Sequence, residues 1–441
     1  MNGNGESSRA DGDRGGIRNP RARQRAVAIG VVRGTPGEDA ELDELSELLR
    51  TAGVATEGRM VQQRAEPDPD RYFGRGKLDE LKVEIKRVGA NLVACDDELA
   101  PRQERNLESA LGVPVIDRTA IILDIFADHA HSAAGKLQVE LAQLEYNLAR
   151  MRGLWTHLER LGAGRMDGGI GTRGPGESQI ETDRRLARDR ISALRRRLRR
   201  VSATRDTMRA ERERAHLPEI ALAGYTNAGK STLLNALTGA EVDVRDRLFE
   251  TLDPTTRTLD VDGRAYLLTD TVGFIRKLPH QLVDAFGATL EETRRAKLIL
   301  HVVDASTDEE RMVAMIRAVD EVLEDIGAGS SPRVLVLNKA DVIDAERREE
   351  LRFRHPDGVV VSAETGEGLD LLRDRVRAAF APMLRSVELL VPYGDASLLP
   401  ELHAAAGDLE REETAEGVRV SARLPAALAA RYDRFAVNGR G

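Results

Sequence analysis

The residues with the most chemistry in this sequence form one short stretch, Gly224-Tyr225-Thr226-Asn227-Ala228-Gly229-Lys230-Ser231-Thr232, set between the apolar run IALAG and the helical run TLLNALTG. Strand, Gly-x4-Gly-Lys-Ser loop and helix in that order form a phosphate cradle. The glycines let backbone N–H groups wrap the phosphates and the helix offers its positive N-terminus. Lys230 reaches the β- and γ-phosphates, and Ser231 supplies a hydroxyl to Mg²⁺. Downstream, AYLLTD ends in Asp270-Thr271-Val272-Gly273. A carboxylate at a strand end can hold Mg²⁺, usually through water, and the Gly273 N–H can meet a γ-phosphate, so this pair would sense hydrolysis. Further on, RVLVLN ends in Asn338-Lys339-Ala340-Asp341, and VVVSAETG carries Ser362-Ala363-Glu364. Asp341 can accept both N1–H and N2–H of guanine, whereas adenine presents an acceptor at N1. Discrimination of roughly 10⁴ or more is within reach by that route. The Ala363 N–H can donate to the guanine carbonyl. The expected ligands are GTP and GDP with Mg²⁺.

These groups need a scaffold. The chain has 441 residues, 41% apolar and 32% charged, enough for about three domains at ordinary domain size. One cysteine, Cys95, excludes an intramolecular disulfide and a Cys-based metal cluster within this chain and fits a reducing compartment. No apolar run reaches the ~18 residues of a membrane span, and no apolar export segment stands at the start; the expected location is the cytoplasm. Residues 1–25 are Gly, Asn, Ser and Arg with little apolar content and read as a disordered basic tail. The run AVAIGVV from Ala26, a helical pattern over 41–52, a strand near 91–95 and VPVID at 113–117 imply a small parallel-sheet α/β region.

The period then changes. Leu137, Leu141, Leu144, Leu148, Met151, Trp155 and Leu158 recur at intervals of four and three, and Leu186, Ile191, Leu194, Leu198, Val201 and Met208 form a second seam. Between them, seven of the fifteen residues in 162–176 are Gly, so an antiparallel helical hairpin with a Gly-rich tip is expected. Segment 183–214 holds thirteen Arg and five acidic residues, a local charge of +8 in a chain whose total is -8. One reading is a solvated face laced with i,i+4 pairs. The other is a phosphate-binding arm for RNA, with Gly169, Gly171, Thr172, Arg173, Gly174, Arg184 and Arg185 as contacts. The lack of aromatics in 183–214 argues against base stacking.

The four nucleotide motifs resemble the translation-factor-type GTPases over residues 218 to about 382. In such proteins a Thr in a mobile segment completes the Mg²⁺ shell only in the GTP state. Thr251, Thr255 and Thr256 in LFETLDPTTR are the candidates, and Thr251 is preferred because Thr-Leu-x-Pro is similar to the Obg-type GTPases. The resemblance implies Ser231, Thr251 and Asp270 around the metal, Phe249 at the nucleotide, and Lys230, Thr251 and Gly273 in hydrolysis. Many relatives have Gln after the glycine matching Gly273; here Phe274 stands there and cannot orient water, so intrinsic hydrolysis is expected to be slow.

The flanks RYFGRGKLDEL (71–81), DDELAPRQERNLE (96–108), VIDRTAIILDIFADHAHSAAGKLQVELAQLEY (115–146), GGIGTRGPGESQIETDRR (168–185) and DTVGFIRKLPHQLVDAF (270–286) together resemble the HflX family. That resemblance implies a monomeric GTPase on the large ribosomal subunit, its hairpin reaching 23S-type rRNA near the peptidyl-transferase region, that dissociates stalled or stress-arrested ribosomes. The competing reading is a regulatory switch that docks a protein effector through the hairpin. The expected fold is α/β: a disordered basic tail (1–25), an α/β subdomain (26–118), the hairpin (119–215), a P-loop domain of mostly parallel sheet (216–383) and a small α/β C-terminal domain (384–441). In the last, VELLVPYG and GVRVSARLP read as strands around the helix SLLPELHAAA. Gly74, Gly76 and Lys77 lack full Walker spacing and read as a turn with a solvated Lys. His129, His131 and His157 read as surface or packing residues.

Overall fold

The computed structural model describes residues 24–33, 42–162, 175–214, 217–240, 248–277, 287–406 and 409–437, which form two compact units divided after Ile121. Most of the expected tail and residues 163–174 of the expected tip lie outside the described residues.

In the first unit, β1 (Arg25–Val32), β2 (Ala55–Gln63), β3 (Leu92–Cys95) and β4 (Val115–Asp117) pair in the parallel order β2-β1-β3-β4. Arg25, assigned to the tail, opens the central strand, where its N–H donates to Asn91 Oδ1 at 2.9 Å. The edge strand β2, ATEGRMVQQ, carries too little apolar alternation to read as a strand. Helices α1 (Asp43–Thr51), α2 (Arg75–Val88) and α3 (Pro101–Leu111) are the crossovers. Around Val27, Ile29, Phe73, Leu81, Val93 and Leu107 they close a core that also contains Cys95, whose thiol burial holds well above its usual pKa. Gly74 caps α2, and Lys77 pairs with Glu80 at 2.9 Å. The buried Arg118, at the start of α4 (Arg118–His129), pairs with Asp96 at 2.7 Å and with Glu44. Breaking such a buried pair leaves an uncompensated charge.

The second unit contains the hairpin α5 (Ala133–Gly162) and α6 (Pro175–Arg214). Leu137, Leu141, Ile191 and Leu194 are its buried seam, flanked by Leu144, Leu148, Leu198 and Val201. Leu186 is a correction: it is 59% exposed, and Ala187 takes its place in the seam. The step from 186 to 191 is five, which turns that side chain off the stripe, whereas 187-191-194-198-201 keeps the four-three rhythm. Arg190–Glu140 and Arg195–Glu145 pair across the helices at 2.6 and 2.8 Å. The side chains of Trp155, Leu158 and Met208 lie outside the described residues.

A six-stranded sheet follows, in order β10-β9-β8-β5-β7-β6. It comprises β5 (Glu219–Gly224), β6 (Thr255–Val261), β7 (Arg264–Asp270), β8 (Leu298–Asp304), β9 (Arg333–Asn338) and β10 (Val359–Val360), all parallel except β6. The antiparallel exception is a two-residue hairpin: Asp262 and Gly263 both have positive φ, as a twist-matching turn requires. This is the P-loop GTPase fold, and β5, β7, β9 and β10 all lead to one edge of it.

A three-stranded antiparallel sheet, β11 (Leu384–Val391), β12 (Leu409–Thr414) and β13 (Gly417–Pro425), ends the fold in order β11-β13-β12. Helices Leu399–Ala406 and Ala426–Arg431 cover its apolar face. The edge strand β12, LEREET, was not expected, because its charged residues carry no apolar alternation; charge on an edge discourages further pairing. Among the described residues no helix is long and apolar enough to cross a membrane.

Candidate nucleotide-binding site

At the strand ends, the loop 224–229 turns sharply into α7 (Lys230–Thr238). Gly229 has φ 87°, and a Cβ there would stand 2.3 Å from Asn338 Nδ2, so no other residue fits. The loop is stitched to the segment after β7: Phe274 N–H donates to the Gly224 carbonyl at 3.0 Å, and Thr226 N–H donates to the Phe274 carbonyl at 2.8 Å. Lys230 is nearly buried and its ammonium donates to the Gly224 and Tyr225 carbonyls at 3.1 and 2.9 Å. Burial pulls its pKa down to about 8, against the opposing charge of Asp270.

Three oxygens converge beside it. Ser231 donates to Asp270 Oδ2 at 2.6 Å, Thr251 donates to the same atom at 2.9 Å, and the two hydroxyl oxygens lie 2.9 Å apart. Asp270 is fully buried, and its Oδ1 has no hydrogen-bond partner among the described residues. Burial raises its pKa in spite of Lys230, Ser231 and Thr251. Two hydroxyls and a carboxylate with an idle oxygen form a donor set that fits Mg²⁺, a hard cation served by oxygen. Of the three Thr candidates, Thr251 is the one brought here. Thr255 and Thr256 lie in β6, where Thr256 Oγ1 meets Thr269 Oγ1 across the strand at 2.9 Å.

The cavity is lined by Thr226, Asn227, Gly229, Lys230, Ser231, Thr232, Phe249, Glu250, Thr251, Thr271 and Gly273. Glu250 and Thr271 were missed by the sequence reading; adjacency to Thr251 and Asp270 was the available signal. The Phe274 side chain is fully buried and does not line the cavity; its contribution here is the pair of backbone hydrogen bonds to the loop. Tyr225 is also buried; its hydroxyl accepts the Arg276 N–H at 2.8 Å.

On the base side, Asn338 Nδ2 donates to the Ala228 carbonyl at 2.9 Å, and its Oδ1 accepts the Ala363 N–H at 3.0 Å. The Ala363 N–H is therefore engaged by Asn338. Ser362 is buried and donates to Asp341 Oδ1 at 2.5 Å, holding that exposed carboxylate in one orientation. Lys339, at φ 67°, pairs with Asp304 at 2.7 Å, and Glu364 is exposed. Of the seven expected RNA contacts, Gly169, Gly171, Thr172, Arg173 and Gly174 lie outside the described residues; Arg184 is half-buried and Arg185 exposed on α6.

Family models described as GTP-binding GTPase N-terminal, GTP-binding GTPase Middle Region and 50S ribosome-binding GTPase match residues 39–127, 129–212 and 219–339. A GTPase HflX of Caldanaerobacter subterraneus subsp. tengcongensis is 42% identical over 419 residues, covering 95% of each chain. That of Escherichia coli is 47% identical over 357 residues, covering 80% of this chain and 82% of its own. Among solved structures, the complex of SsGBP with GDP is 27% identical, covers 80% of this chain and 98% of its own, and has a TM-score of 0.44. With all three family models in order and such identity along nearly its whole length, this chain belongs to the HflX family of GTPases and hydrolyses GTP.

Proposed function

We propose that this GTPase binds the large ribosomal subunit through its helical hairpin and uses GTP to dissociate stalled or stress-arrested ribosomes in the cytoplasm. The observation that carries the reading is α6: Arg185, Arg188, Arg190, Arg195, Arg196, Arg197, Arg199 and Arg200 are all exposed along one helix of a chain with net charge -8. A basic arm on an acidic body favours phosphate contact at the arm and suppresses it elsewhere. The family description, a 50S ribosome-binding GTPase, agrees with that partner. The division into α/β subdomain, hairpin, GTPase domain and C-terminal domain belongs to the same reading.

In this scheme Asp341 selects guanine and the 224–232 loop cradles the phosphates. Ser231, Thr251 and Asp270 would hold Mg²⁺, which when bound supplies charge neutralisation at the β- and γ-phosphates. Lys230 neutralises the transferred group, Gly273 meets the γ-phosphate, and Thr251 and Gly273 report its loss. Phe274 offers no hydrogen bond to water, so turnover by the isolated chain is slow and the ribosome completes the site. Adding purified large subunits should raise GTP turnover by roughly the 10³-fold or more that a completing partner supplies in other GTPases. Unchanged turnover would remove ribosome coupling. If the hairpin docks an apolar protein surface instead, binding will survive raised salt; phosphate contact by several Arg side chains weakens steeply with it.

Lys230 gives a pH signature. Its pKa of about 8 in the free protein must rise when anionic phosphates approach, so GDP binding should take up more protons near pH 8.5 than near pH 6.5. Calorimetry in buffers of different ionisation enthalpy measures this, and proton uptake independent of pH across that range would contradict it.

A further inference from the structure

We infer that the turn joining α4 to α5 positions Thr251, with His129, Ser132 and Asp253 as positioning residues for GTP hydrolysis. The inference rests on the part given to Thr251 above. Thr251 sits at the middle of a five-residue piece whose two ends are gripped by the same turn, more than a hundred residues earlier in the chain. On one side, His129 Nδ1 lies 2.8 Å from the Phe249 carbonyl oxygen. A carbonyl only accepts, so Nδ1 carries the proton. The Phe249 ring also meets the Phe126 ring edge-on, with centroids 4.6 Å apart. On the other side, Ser132 N–H donates to Asp253 Oδ2 at 2.8 Å, and the Ser132 hydroxyl donates to Asp253 Oδ1.

Ser132 is also the N-cap of α5. Its hydroxyl accepts the Gly135 N–H at 2.8 Å and its carbonyl accepts the Lys136 N–H at 3.0 Å. Asp253 is thus a carboxylate docked at the positive end of a 30-residue helix, where a negative charge is favoured. Gly135 is what admits it: a Cβ at that position would stand 2.7 Å from Asp253 Oδ1. Phe249 is held at φ 59°, a backbone state that a bulky side chain keeps only where its surroundings over-determine it. Between these anchors the Thr251 hydroxyl reaches Asp270 at 2.9 Å. The base of the arm and the nucleotide site are therefore one mechanical element, and a change in the pose of α5 moves Thr251.

The test compares Ser132→Ala, Ser132→Thr, Asp253→Ala, Gly135→Ala and Thr251→Ala in the full chain. The readouts are kcat for GTP, affinity for GDP and for a non-hydrolysable GTP analogue, and Tm. Losing hydrogen bonds to a charged group should lower kcat and analogue affinity about tenfold in the Ser132→Ala, Asp253→Ala and Gly135→Ala variants. GDP affinity should change by less than about twofold, because the part given to Thr251, completing the Mg²⁺ shell, belongs to the GTP state. Ser132→Thr keeps the hydroxyl and should restore the wild-type rate. Gly135→Ala separates positioning from folding: alanine returns about 1 kcal/mol of helix propensity, so Tm should fall less than in Asp253→Ala while kcat falls as far. Adding Ser132→Ala to Thr251→Ala should cause no further loss. Additive losses, or wild-type kcat in Gly135→Ala, would overturn the positioning role alone. Wild-type kcat in Thr251→Ala would overturn it together with the part given to Thr251.

Discussion

Asp341→Asn is expected to lower the preference for GTP over xanthosine triphosphate by at least about 10³-fold, a loss of the size seen when a site built to pair polar groups meets the wrong partner. The carboxylate of Asp341 is exposed at the end of β9, and Ser362 holds its Oδ1 from below at 2.5 Å. An amide in the same place can still accept from Ser362 through its oxygen, which turns its NH₂ group outward. Guanine offers two donors there and would meet another donor; xanthine offers a carbonyl in place of the 2-amino group and would be paired. Competition between the two triphosphates for a labelled GDP complex measures the ratio. An unchanged ratio would take Asp341 out of base selection.

Asn338→Ala is expected to cost about 2–5 kcal/mol of stability, because two buried backbone groups lose their partners at once. The Asn338 side chain is nearly buried and bridges the Ala228 carbonyl of the phosphate loop to the Ala363 N–H beyond β10. Asn338→Asp keeps the acceptor for Ala363 but turns an oxygen toward the Ala228 carbonyl, so it should cost at least as much above neutral pH. Urea unfolding of the nucleotide-free protein reads both variants. GDP affinity should fall with them, since the loop that wraps the phosphates is no longer tied to the strand that carries Asp341. Stability equal to wild type in either variant would contradict the bridge.

The phosphate loop, Asp270, the Asn338–Asp341 run and the Ser362 turn were legible because each is a short contiguous pattern at a strand end, and local spacing alone brings its members together. Among three neighbouring Thr residues, Thr251 was preferred on the Thr-Leu-x-Pro similarity alone; the structure adds the physical ground, setting it against Asp270 while the other two lie in β6. Ala363 was read for what its N–H can offer a ligand, and the bond that this N–H makes to Asn338, 25 residues earlier, is not visible in local sequence. The strands β2 and β12 escaped notice because edge strands need little apolar alternation, and Leu186 because a one-residue slip is invisible without the partner helix. The grip of Ser132 on Asp253 leaves no trace in local sequence, since its two halves are separated by more than a hundred residues.

The length of α5 gives that grip a mechanical meaning. Thirty residues make a rod about 45 Å long, and Ser132, its N-cap, holds Asp253 no farther from the root than the ~5.4 Å of one turn. Treated as a lever pivoting within that first turn, the rod has a far arm roughly eight times its near one. A swing of several ångströms at the far end then arrives at Thr251 as less than one, and a weak lateral push out there arrives as a force several times greater. Displacements of that small size decide whether a hydroxyl is within bonding reach of Asp270. A long arm anchored so close to its root works as a reduction gear, converting large, soft motions of whatever it touches into a fine, stiff adjustment at the phosphates.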